Sequence, residues 1–148
     1  MTPHIFPVRF ESPSGLCLQV NTNGSIRRFD HRDVILNLFL GSEIEGGPAN
    51  VYLRRHGTSI ECVPLLGPRS RGAVCVDEHG LAVRGEWNGV AFTLSLTLAR
   101  SAPVWLWRGT LENKGADPVL VDLVYSQDLA LAPYGAVRMM RLSVLLRP

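Results

Sequence analysis

Lysine is almost missing from this 148-residue chain: Lys114 is the single lysine among 15 Lys+Arg, set against 13 Asp+Glu. The formal charge of +2 is small and the arginines are scattered, so there is no field to attract a polyanion and nucleic acid is not an expected partner. The arginine bias fits a GC-rich coding sequence, although a guanidinium fork does bind carboxylate and phosphate better than an ammonium. Cysteine is also scarce. Cys17, Cys62 and Cys75 are odd in number and lack CxxC spacing, which argues against a disulfide framework and a zinc site and fits a reducing, cytoplasmic compartment. His4, His31, His56 and His79 lie far apart without HxH or HExxH spacing, and no cofactor, metal or otherwise, is expected. No apolar run approaches the ~18–20 residues that span a bilayer. Residues 1–7 show no basic region followed by an apolar stretch, so neither a membrane segment nor a signal peptide is expected. Helical periodicity is absent between residues 8 and 135, as are internal repeats, a GxSxG elbow and a phosphate loop at Gly46-Gly47-Pro48.

What is present is a period of two. Val90, Phe92, Leu94, Leu96 and Leu98 alternate with small or polar residues, the pattern of a strand with one buried face. Residues 104–112 and 119–126 repeat it, and the turn-rich links between the three favour an antiparallel meander. Further strands are expected over 16–20, 25–29, 34–40, 50–55, 59–63, 71–76 and 81–86, with hairpin signals at Asn23-Gly24 and over 77–80. Hydrophobic residues make up 46% and charged residues 19%, so the chain can bury a core. With 14 Gly and 10 Pro punctuating short strands, the fold expected is all-β, an antiparallel β-sandwich. Its length allows one domain or half of a large β-domain, and no multidomain enzyme.

The chemistry is carried by aromatics more than by any catalytic motif. Trp105 and Trp107 share one strand face and are expected to fill the core, whereas Trp87, in the turn-like Glu86-Trp87-Asn88-Gly89, is expected to be exposed. Exposed indole faces flanked by Asn, Gln, Asp and Arg suit the apolar C–H patches and hydroxyls of sugars. Asp30, Asp33, Glu43, Glu45, Glu112, Asp122 and Asp128 are the carboxylates available for an acid/base pair.

Four strings carry a resemblance: 23–28 (NGSIRR), 45–54 (EGGPANVYLR), 64–70 (PLLGPRS) and, most specific, 127–138 (QDLALAPYGAVR). Over residues 12–138 the chain resembles the cyclic β-1,2-glucan synthetase family. The resemblance is to the β-sandwich preceding the helical barrel of its phosphorylase-like part, which is related to the cellobiose and chitobiose phosphorylases of glycoside hydrolase family 94. This implies a galactose-mutarotase-like supersandwich, here partial, since the family's sandwich is longer than this chain and its catalytic residues lie in the barrel. A β-sandwich domain over 1–138 and an apolar tail over 139–148 follow. The tail departs from the family pattern, as the product of a truncated or frameshifted gene would; reading the locus in its other frames tests this.

The function expected is a non-catalytic carbohydrate-binding or structural sandwich whose partner is a β-glucan or glucoside. Trp87, Arg108, Gln127, Asp128, Tyr134 and Arg138 are its candidate sugar contacts. The alternative is a stand-alone mutarotase- or glycosidase-like enzyme pairing Asp128 or Glu112 with His31 or His79. A partial sandwich leaves open strand edges, so a homo-oligomer is expected, with residues 142–146 of the tail involved.

Overall fold

The computed structural model describes residues 7–77, 80–133 and 135–136. The strands in order are β1 (Val8–Glu11), β2 (Leu16–Val20), β3 (Ile26–His31), β4 (Val34–Ile35), β5 (Ala49–His56), β6 (Ile60–Pro64), β7 (Gly72–Asp77), β8 (Gly80–Trp87), β9 (Val90–Leu98), β10 (Trp105–Asn113), β11 (Leu120–Gln127) and β12 (Ala132–Pro133). They pair antiparallel in three sheets, ordered β1-β2-β3-β4-β12, β10-β9-β8-β7 and β11-β5-β6. The all-β sandwich expected from the alternation is what forms.

The four-stranded sheet is the common floor. Its inner face carries Val83, Val90, Phe92, Leu94 and Leu96, all buried, and the other two sheets lay Leu16, Leu18, Phe29, Val51 and Leu53 against one shared core. Each such side chain contributes about 1.5–3 kcal/mol relative to exposure. The β8–β9 hairpin closes at Asn88 (φ 48°) and Gly89 (φ 77°), the left-handed pair that a tight two-residue turn requires. Gly72 and Gly85 face each other across β7 and β8, and a Cβ on Gly85 would lie 2.8 Å from Phe92 Cζ. The two missing side chains make room for that ring.

Two strand expectations are corrected. Residues 34–40 form a strand only at β4. Beyond it the buried Asn37 Oδ1 accepts from Phe29 N–H (2.7 Å), and the Leu38 and Phe39 amides donate to Asp128 (2.7 and 3.2 Å). Side chains thus take the hydrogen bonds that a strand neighbour would need. The expected three-strand meander also breaks, because β9 pairs with β10 but β11 crosses to the other layer and pairs with β5. An alternating pattern fixes which face is buried, not which sheet the strand joins. Here Leu123 packs over Gly109, where a Cβ would sit 2.9 Å from Leu123 Cδ1.

Candidate functional site

β10 and β11 are the outer strands of two different sheets, and their inner faces meet along one margin of the sandwich. Trp105 reaches inward to Phe29 (ring centroids 5.1 Å apart), and Trp107 lies against Tyr125 (6.0 Å, planes inclined 54°). Both tryptophans are half-buried and packed on the core. Trp105 Nε1–H donates to Tyr125 OH (3.3 Å), which in turn donates to Gln127 Oε1. Trp107 Nε1 and Gln127 Nε2 are buried and, among the described residues, have no hydrogen-bond partner. Yet Leu123 and Tyr125, on the same margin, remain 40% and 44% exposed. An unpaired buried donor costs about 1–3 kcal/mol. Among the described residues the margin therefore combines unspent polar groups, uncovered apolar surface and two open backbone edges.

The candidate sugar contacts do not form one group. Gln127 belongs to this seam. Asp128 is its neighbour in sequence but turns to the 36–40 loop, accepting from the Leu38 and Phe39 amides while its own N–H donates to Pro48 O (2.9 Å). Arg108 is exposed and alternates with Trp107, so it projects from the outer face of β10. Trp87, expected to be exposed, is half-buried and packed on the core, and it lines a hollow beside β6, the strand at the far edge of its sheet from β11. Tyr134, Arg138, His79 and the tail 139–148 lie outside the described residues.

For the catalytic alternative, the geometry disperses the groups. His31 Nε2 lies 3.3 Å from Ser14 O, and Glu112 pairs with Lys114 (2.7 Å). Cys17 is buried beside Arg9, whose Nε–H donates to its Sγ (3.1 Å). Burial pushes the Cys17 thiol up from its ordinary value against the opposing pull of Arg9, which suits a structural thiol better than a nucleophile. Among the described residues no cluster of His, Cys, Asp and Glu could hold a metal ion, and no helix is long and apolar enough to cross a membrane.

Asp122, one of the carboxylates available for an acid/base pair, is engaged in a charged cluster instead. Arg54 grips Asp122 with two bonds (2.8 and 2.6 Å) across the β5–β11 pair, and His56 Nε2 stands 3.2 Å from the same carboxylate. The Arg54 hydrogen bonds hold Asp122 down to about 2. The i, i+2 spacing of Arg54 and His56 places both on one strand face, which is readable; their partner, 68 and 66 residues away, is not.

Two comparisons bear on this fold. A family model described as the SOGP N-terminal domain matches residues 19–140. A 1,2-beta-oligoglucan phosphorylase of Listeria innocua serovar 6a is 32% identical over 118 residues, covering 78% of this chain and 10% of that protein. The chain thus spans about a tenth of the length of the curated relative it matches.

Proposed function

Because this chain belongs to the SOGP N-terminal domain family, we propose that it is a non-catalytic β-sandwich serving β-glucan metabolism, binding glucan or supporting the architecture around it. The finer kinship, to the sandwich of cyclic β-1,2-glucan synthetases and glycoside hydrolase family 94, is part of the same proposal, as are the 1–138 domain and a cytoplasmic setting. The observation that carries it is how the carboxylates are spent. Asp122 is held by Arg54, Asp128 by two loop amides, Asp30 by Arg28 (2.6 Å) and Glu112 by Lys114. Hydrolysis of a glycoside needs two carboxyl groups facing one bond, and these four point into separate structural contacts, while Glu45 is, among the described residues, the single carboxylate of the hollow it lines. Phosphorolysis, in which phosphate attacks and one carboxylic acid suffices, is addressed by the assay below. The relative's name supplies the ligand class, a 1,2-β-oligoglucan. Calorimetric titration of the chain with linear β-1,2-oligoglucans should show binding at millimolar sugar, and incubation with glucan and phosphate should release no sugar phosphate. Phosphorolysis by the isolated chain would overturn the non-catalytic assignment; absence of any binding heat would overturn the glucan-binding one.

The seam supports a second role, self-association. Each copy presents the open edges of β10 and β11, and a two-fold pairing would cover both copies at once. Light scattering should show a dimer or larger species, and a monomer at moderate concentration contradicts it.

A further inference from the structure

On the glucan-binding reading above, we propose that the seat of the ligand is a groove that wraps the edge strand β6 from Tyr52 to Trp87, and that it takes an extended oligoglucan and not a single sugar. Two hollows, of about 400 and 470 Å³, adjoin here and share Cys62, Pro64, Pro68 and Arg69 in their walls. Each falls within the about 300–1,000 Å³ usual for small-molecule sites. Joined at a waist, they form a path that a monosaccharide would fill only in part.

The walls are held in place by side-chain bonds to the backbone, from Asn50 behind the first hollow and from Ser70 in the lining of the second. Asn50, 2% exposed, donates from Nδ2 to Gly46 O (2.9 Å) and Leu66 O (3.1 Å), and so ties together the two loops that border the first hollow. Ser70 Oγ–H donates to Leu65 O (2.8 Å) and steadies the second. A groove fixed in this way loses little freedom when it binds, which favours affinity.

Its polar groups, by contrast, are unspent. Among the described residues the Tyr52 hydroxyl, the Glu45 carboxylate and the guanidinium groups of Arg69 and Arg71 have no side-chain hydrogen bond or ion pair, although each lines one of the hollows. Aromatic rings at the two ends, with free donors and acceptors between them, match a chain of alternating C–H faces and hydroxyls. Glu45 set against two arginines leaves no strong field of one sign, so an anionic polymer is disfavoured.

Cys62 at the waist provides the readout. It is exposed, as is Cys75, while Cys17 is buried. In the full chain, a saturating linear β-1,2-glucohexaose should slow maleimide labelling of Cys62 by about tenfold and leave Cys75 unchanged, and Trp87→Ala or Arg69→Ala should weaken calorimetric binding by about tenfold. Arg69 is exposed and unpartnered, so its variant folds even if Trp87→Ala does not. Binding that persists with Cys62 unprotected and with Arg69→Ala at wild-type affinity overturns the groove while leaving glucan binding standing. Glucose binding as tightly as the hexaose overturns the extended ligand. No heat with any oligoglucan overturns the parent reading and the groove together.

Discussion

Phe29 and Trp105 provide the sharpest test of how the five-stranded and four-stranded sheets meet. Phe29 is fully buried, and its ring centroid lies 5.1 Å from that of Trp105 in a tilted pair. Truncation to alanine would cost about 3–5 kcal/mol. That is a large share of the about 5–15 kcal/mol that holds a domain together, so leucine is the better probe. Phe29→Leu keeps most of the apolar volume and should cost roughly 1.5 kcal/mol or less by packing alone. The ring–ring contact adds about 0.5–1.5 kcal/mol beyond area burial, and each single variant forfeits it while the double variant forfeits it only once. Urea unfolding of wild type, Phe29→Leu, Trp105→Leu and the double variant should therefore give a coupling of about 1 kcal/mol. With a slope of about 1–3 kcal/mol per molar, that is a midpoint discrepancy of roughly 0.3–1 M. A coupling below about 0.3 kcal/mol, within ordinary additivity, would mean that the rings do not touch and that the sheets are packed differently.

Three further outcomes follow from named contacts. Gly85→Ala would bring a Cβ to 2.6 Å from Arg71 O and 2.8 Å from Gly72 Cα, contacts with backbone that cannot swing away, so thermal unfolding should show a loss of about 1–3 kcal/mol; a variant as stable as wild type would remove the glycine pair from the account. Asp122 is depressed from 3.8 to about 2, so its contribution is complete above the unfolded-state value near 4 and is lost as pH falls through 2. Stability measured between pH 5 and 2 should fall less in Asp122→Asn than in wild type, and by less again in high salt, since the carboxylate is 41% exposed; identical pH profiles would refute the pairing. Asp128→Ala removes the acceptor for two exposed loop amides and should cost about 1 kcal/mol, with faster hydrogen exchange at Leu38 and Phe39. Unchanged exchange at both amides would show that the loop does not depend on that carboxylate.

Strand identity was legible wherever one face is buried. The alternation over 90–98, 104–112 and 119–126 located β9, β10 and β11 to within a residue or so, because burying Val90, Phe92, Leu94 and Leu96 demands that period. β1 and β12 escaped notice for the opposite reason: four and two residues are too few for a period to show. The 34–40 segment misled because its apolar residues read as a strand, whereas a buried Asn37 and a distant Asp128 decide its backbone bonds. For the site the limit is sharper. Nothing local to Gln127 indicates that it bonds Tyr125 while Asp128 turns away to a loop 90 residues earlier. Nor does the Trp87 string reveal that Tyr52 and Arg69 share its margin, since those relations are set by how β5, β6 and β8 are layered.

The crossover of the chain between β10 and β11 also orders events in time. Strands β7 to β10 are paired in sequence order and can zip up as successive hairpins, each closing a short loop. β11 must instead find β5, as in the Asp122–Arg54 bond that spans 68 residues, and so carries the larger closure entropy. Until it docks, β5 has one flank bare with β6 on the other, and the Trp107 side of β10 faces water. Pulse-labelled amide exchange during refolding should protect β8 and β9 before β11; simultaneous protection would contradict this order. The seam thus closes after the β7–β10 hairpins, and during that interval the bare flank of β5 is at its most exposed to mispairing.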